Sequence, residues 1–191
     1  MTKTRLEAFS DAVIAIVITV MVLELTIPEH QPGWSALRPL VSKFLTYALS
    51  FVFLGIYWSN HHHLIHTAER VNGKILWANL HLLFWLSLTP FVTGWMGEND
   101  FASAPTAAYG IVLLLAAVAY YILQSVIIAA HGPDARLKAA LGSDLKGKIS
   151  PVLYSAAILL AFVNRWVSLG IYIFVALMWL VPDKRIESIY G

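Results

Sequence analysis

The sequence predicts an all-α membrane protein with six transmembrane helices, and three observations carry that expectation. Of 191 residues, 59% are apolar and only 13% are charged, against roughly 25% charge in an average soluble domain. The mean hydropathy is +0.70. Apolar stretches near the roughly 20 residues that a bilayer span needs consume nearly the whole chain, which leaves one transmembrane domain over residues 1–191 and no room for a separate soluble catalytic domain.

The first span is expected at residues 4–27. It is too long for a cleaved signal, has no small-residue cleavage site after it, and is stopped by Pro28, since a proline ends or kinks a helix at the residue before it. The second, residues 37–63, carries Pro39 in its first turn, where a missing N–H is harmless. The third, 76–95, has Pro90 as a kink near its far end, and the fourth, 105–130, is ended by His131, Gly132 and Pro133. Residues 134–148 set Leu137, Leu141 and Leu145 four apart beside Arg136, Lys138, Lys146 and Lys148, as in a helix on an anionic membrane face or equally a solvated loop. The remaining apolar stretch is divided at Asn164 and Arg165 into spans 150–164 and 166–181, with Ser150 and Pro151 as a helix start.

Charge placement favours six spans over five. With an inner N-terminus, Lys3, Arg5, Arg70, Lys74, Arg136, Lys138, Lys146, Lys148, Lys184 and Arg185 all fall inside, and residues 97–104, an outer loop, hold two acids and no basic residue. That is the positive-inside pattern of a multi-pass protein of the plasma membrane with both termini cytoplasmic. The chain has no cysteine, which excludes disulfides, thiolate metal sites and cysteine nucleophiles. No nucleophile–base pair, carboxylate pair at one depth or phosphate-binding glycine loop is visible, so an enzyme is not expected. The lipid bilayer is an expected partner; nucleic acid is not.

Asp11 is the residue that most needs a reason. It opens an apolar run broken only by the Thr19 hydroxyl, and an acid inside a span costs about 2.5–3.5 kcal/mol on insertion scales. Arg5, Glu7 and Asp11 begin span one on its inner side. Span two delivers Trp58, Asn60, His61, His62, His63 and His66 to that side, and span three leaves it through Trp77, Asn79 and His81. At about 1.5 Å rise per residue these groups share one depth. The expectation is a buried polar network in which Arg5 or a histidine neutralises Asp11 and an indole N–H bonds it. Such a network serves as interhelical glue. His62 and His66, four apart, could instead hold a metal ion, and His81 with span two could ligate haem.

On the rest of span one, Ala12, Ile16, Thr19, Leu23 and Thr26 fall within about 80° of one another at about 100° per residue, one stripe of i, i+3, i+4 spacing. Asp11 points about 140° from Ile16. By itself such a stripe is a lipid or packing face.

The string Arg5-x-x-x-Phe9-Ser10-Asp11 resembles the signature of the transmembrane protein 175 family of lysosomal and prokaryotic potassium channels, at all four motif positions. The resemblance extends over the whole chain and looks like the prokaryotic members, which carry one repeat. It implies a homotetramer with a central pore lined by the first helix, potassium as the permeant ion and no cofactor. It also implies Ile16 as a constriction, Thr19 as a hydroxyl ring and Leu23 as a second apolar ring, the same residues that form the stripe. The Thr-Val-Gly-Tyr-Gly filter of ordinary potassium channels is absent. Arg5, Phe9, Ser10, Asp11, His62, His63, Trp77, Asn79 and His81 would then hold the first helix around the pore. A proton-coupled transporter using Asp11 or Glu24 is the rival reading.

Overall fold

The computed structural model describes residues 2–26, 33–68, 70–130 and 145–180. These residues form an all-helical bundle. Helix α1 (Lys3–Leu23) is capped by the Thr2 hydroxyl, which accepts from Arg5 N, and ends with Glu24 as C-cap. A 3-10 turn, Trp34–Leu40, holds Pro39 and leads into α2 (Val41–Thr67). Helix α2 thus continues four residues past His63, through His66.

Helix α3 (Gly73–Ser87) begins behind Asn72, whose side chain accepts from Ile75 N, and α4 (Thr89–Glu98) follows after a break at Leu88, with Pro90 in its first turn. Proline has no N–H to give to the turn before it, so α3 and α4 form one bent rod. Helix α5 (Ser103–Ala130) is the longest. Between α4 and α5, Asp100 and Phe101 both take positive φ, 46° and 58°. The Asp100 carboxylate accepts from the Ser42 hydroxyl at 2.7 Å, and Phe101 is buried.

Helix α6 (Leu145–Leu160) starts at Leu145, not at Ser150. Ser150 and Pro151 lie inside it, where the Ser150 hydroxyl donates to Lys146 O at 2.8 Å and the proline forgoes one backbone bond. Residues 145–148, expected in a surface segment, therefore belong to α6; residues 134–144 of that segment lie outside the described residues. Helix α7 (Arg165–Leu180) begins where the Asn164 side chain accepts from Trp166 N at 3.0 Å.

Among the described residues, four helical stretches, Lys3–Leu23, Trp34–Thr67, Gly73–Glu98 and Ser103–Ala130, are long and apolar enough to cross a membrane. Helices α6 and α7 have 16 residues each, about 24 Å at 1.5 Å per residue. Helix α5 packs against α3, α4, α6 and α7, while α1 lies to one side on α2, α3 and α4. One apolar core joins Ile14, Val17 and Met21 of α1 to Leu82, Leu86 and Leu123. A second joins Phe53, Met96, Tyr109, Tyr154 and Tyr172.

Candidate functional site

Helix α1 divides into two faces. Leu6, Ser10, Ile14, Val17 and Met21 are buried, spaced by three and four as one helical stripe must be. The residues on the opposite side, Ala12, Ile16, Thr19 and Leu23, are all exposed, while Thr26, expected on the same stripe, lies past the end of the helix. Ile16 is 61% and Leu23 74% exposed, and the mean angles of the two stripes lie about 150° apart at about 100° per residue. The stripe therefore points away from the body of the bundle. The Thr19 hydroxyl donates to Ala15 O, one turn back, at 2.8 Å, which commits its proton and leaves its lone pairs facing outward.

At the end that carries the N-terminus, α1 and α2 run antiparallel and are tied once per turn. Lys3 Nζ donates to His66 O at 2.6 Å, Glu7 Oε1 pairs with His62 Nδ1 at 2.8 Å, and Trp58 Nε1 donates to Asp11 Oδ1 at 3.0 Å. Steps of four along α1 meet steps of four along α2. A deeper chain crosses three helices: His61 Nε2 lies 2.6 Å from Asn79 Oδ1, Asn79 Nδ2 donates to Ser10 Oγ at 2.9 Å, and Ser10 donates to Leu6 O at 2.8 Å. Ser10, His61 and Asn79 are all fully buried. Nδ1 of His61 has no partner among the described residues.

Of the residues expected in this network, Ser10, Asp11, His62 and Asn79 are brought together. Arg5, Phe9, His63, Trp77 and His81 are exposed and stand outside it. Arg5 makes no ion pair with Asp11 among the described residues, because six residues of helix turn it about 120° away. Seven residues before Ala12, Arg5 instead sits on the outward stripe, with Phe9 beside it. His63 is two residues from His61 and so faces the opposite way, its ring edge-on to His62 at 5.7 Å. Trp77 is 73% exposed, and His81, one turn on, accepts from Trp85 Nε1 of its own helix at 2.9 Å.

The indole N–H expected on Asp11 is that of Trp58, while the parts played by His61 and Glu7 were missed. The signal for His61 was its phase: Ser50, Leu54, His61 and Leu64 are buried on one face of α2, so the apolar stripe, extended, selects His61 from three neighbouring histidines. The His62 and His66 rings stack at 6.1 Å, but Nδ1 of His62 is engaged by Glu7. Among the described residues, no group of three or more His, Cys, Asp or Glu side chains could hold a metal ion.

A family model described as "Endosomal/lysosomal potassium channel TMEM175" matches residues 5–90, which hold all but the first two residues of α1 and all of its ties to α2 and α3 except that of Lys3. A protein of Chryseobacterium sp. (strain P1-3) named as a potassium channel is 54% identical over 188 residues, 98% of this chain and 97% of that one. The chain belongs to the TMEM175 family. A TMEM175 relative in Streptomyces collinus, also named as a potassium channel, is 31% identical over 185 residues, 92% of this chain and 90% of its own length. The crystal structure of a lysosomal potassium-selective channel TMEM175 homolog from Chamaesiphon minutus matches with a TM-score of 0.79 at 28% identity, covering 94% of this chain and 96% of that one. The bundle is thus the TMEM175 channel fold.

Proposed function

We propose that this chain is a potassium-permeable cation channel in which four copies surround a pore lined by α1, with both termini in the cytoplasm. The carrying observation is the outward stripe of α1: Ile16, Thr19 and Leu23 are exposed on a helix whose other face is fully packed. The spacing of three and four suits symmetric packing of like helices around an axis. The relatives named as potassium channels support the permeant ion, and the resemblance implies the number four.

In this reading Ile16 forms a narrow apolar ring that excludes water and hydrated ions, and Leu23 forms a second. Thr19 lies between them on the axis. Because each Thr19 proton is held by Ala15 O, four outward hydroxyl oxygens act as acceptors and replace part of an ion's hydration shell. The Asp11–Trp58 bond and the His61–Asn79–Ser10 chain fix the rotation of α1, so the stripe keeps facing the axis. Passage needs no cofactor and no bond-making chemistry.

The test is reconstitution of purified protein in liposomes, with potassium flux driven by a potassium gradient alone and the oligomer sized in the same preparation. A tetramer that passes potassium without a proton gradient is expected. Flux that saturates at low turnover and requires a proton gradient would instead give the site to a transporter built on Asp11 or Glu24.

A further inference from the structure

A cleft inside each subunit, between α2, α5, α6 and α7, has no part in the pore. Its walls include Tyr57, Asn60, Ala117, Tyr121, Tyr154 and Trp179, and no charged side chain lines it. It encloses about 40 Å³, within about 520 Å³ of free space that includes the open mouth. By the first measure a water needs roughly 10–15 Å³, so the interior takes a hydroxyl-sized head and the mouth takes a chain.

Several wall groups are already bonded: Tyr120 donates to Asn60 O at 3.2 Å, Asn60 Nδ2 to Ile56 O at 2.9 Å, Ser150 to Lys146 O at 2.8 Å and Trp179 Nε1 to Ser150 Oγ at 2.9 Å. The hydroxyls of Tyr57 and Tyr154 make no hydrogen bond to a described residue. Tyr154 is only 2% exposed, yet neither oxygen is among the sealed polar atoms without a partner, which are His61 Nδ1 and Ser168 Oγ, so both open onto the free space of the cleft. A tyrosine hydroxyl set in a largely apolar wall ordinarily finds a partner. Tyr121, 58% exposed, marks the open side. A charged head would have to be desolvated here with no counter-charge, so the complementary ligand is neutral.

We infer that this cleft binds a small, neutral, membrane-soluble amphiphile whose hydroxyl or carbonyl oxygen accepts from Tyr57 and Tyr154 while its apolar tail leaves past Tyr121. Tyr57 and Asn60 neighbour Trp58 and His61 on α2, the residues that hold α1. Occupancy therefore bears on the turns that set the rotation of the pore helix; this coupling, unlike the binding itself, rests on the channel reading.

The probe is 1-octanol carrying a diazirine, photolysed with the purified full-length protein in nanodiscs. Saturable labelling of the segments holding Tyr57, Tyr121 and Tyr154 is expected, displaced by plain 1-octanol. Ala117→Phe, which fills the cleft, should abolish it. Should that variant fail to fold, the double variant Tyr57→Phe/Tyr154→Phe keeps the shape and should weaken apparent affinity roughly two- to tenfold or more, as loss of one or two hydrogen bonds implies. Labelling that does not saturate, or that a folded Ala117→Phe or the double variant leaves unchanged, overturns the site. In liposomes, 1-octanol should change potassium flux through the parent and act less on the double variant. Saturable binding with unchanged flux overturns the coupling alone, and a parent with no flux at all counts against the channel reading, not the cleft.

Discussion

At Thr19 a single oxygen carries the selectivity assigned to this chain. It is the only hydroxyl between Asp11 and Leu23, and its proton is committed to Ala15 O. Thr19→Val keeps the shape and removes the oxygen, so the potassium-over-sodium permeability ratio from reversal potentials should fall; an unchanged ratio would remove Thr19 from the filter. The anchor is equally residue-specific. His61 is buried against Asn79 while His63 is exposed, so the two should respond differently to the same change. His61→Ala leaves the Asn79 oxygen without a donor and should lower subunit stability by about 1–3 kcal/mol; His63→Ala should stay within about 0.5 kcal/mol. Thermal unfolding in detergent compares them, and equal losses would mean that phase on α2 does not decide which histidine matters. Asp11→Ala removes the acceptor of the Trp58 indole, a bond to a charged group worth about 1.5–3 kcal/mol, and should lower the melting temperature of the oligomer measurably.

Helix packing limits what each element tolerates. Gly110 of α5 lies so close to α6 and α7 that an added Cβ would collide with the Tyr172 hydroxyl and come within 2.9 Å of Ile158 Cγ1, whereas at Gly55 of α2 it would meet nothing within 4 Å. Gly110→Ala should therefore destabilise by about 1–3 kcal/mol and Gly55→Ala should not, read by thermal unfolding of both. The elements themselves were legible because each is an apolar run bounded by proline, glycine or charge. The start of α6 was not, since Ser150 and Pro151 imitate a helix start while the chain is already helical at Leu145. The stripe on α1 was legible from periodicity, because burial on one face of a helix leaves the opposite face in register. The indole on Asp11 was legible as a type but not as a residue: Arg5, expected as the counter-charge, is close in sequence but turned away, and the choice of Trp58 over Trp77 depends on how α1 and α2 register against each other. That register, pairing residues 3, 7 and 11 with 66, 62 and 58, is a property of two helices and appears in neither alone.

For the whole molecule, the central claim is that the exposed stripe of α1 becomes the wall of a pore when copies assemble. A lone subunit leaves Ile16 and Leu23 uncovered, two helical turns apart, and a ring of such side chains is narrow and apolar enough to stay dry. Ile16→Asn keeps nearly the same volume while supplying an amide that holds water. The most direct measurement is potassium flux into liposomes, with no proton gradient, for parent and Ile16→Asn tetramers of equal integrity. The account predicts flux through both, higher in Ile16→Asn and with weaker discrimination between potassium and sodium. No flux from either, in tetramers shown to be intact, would contradict it.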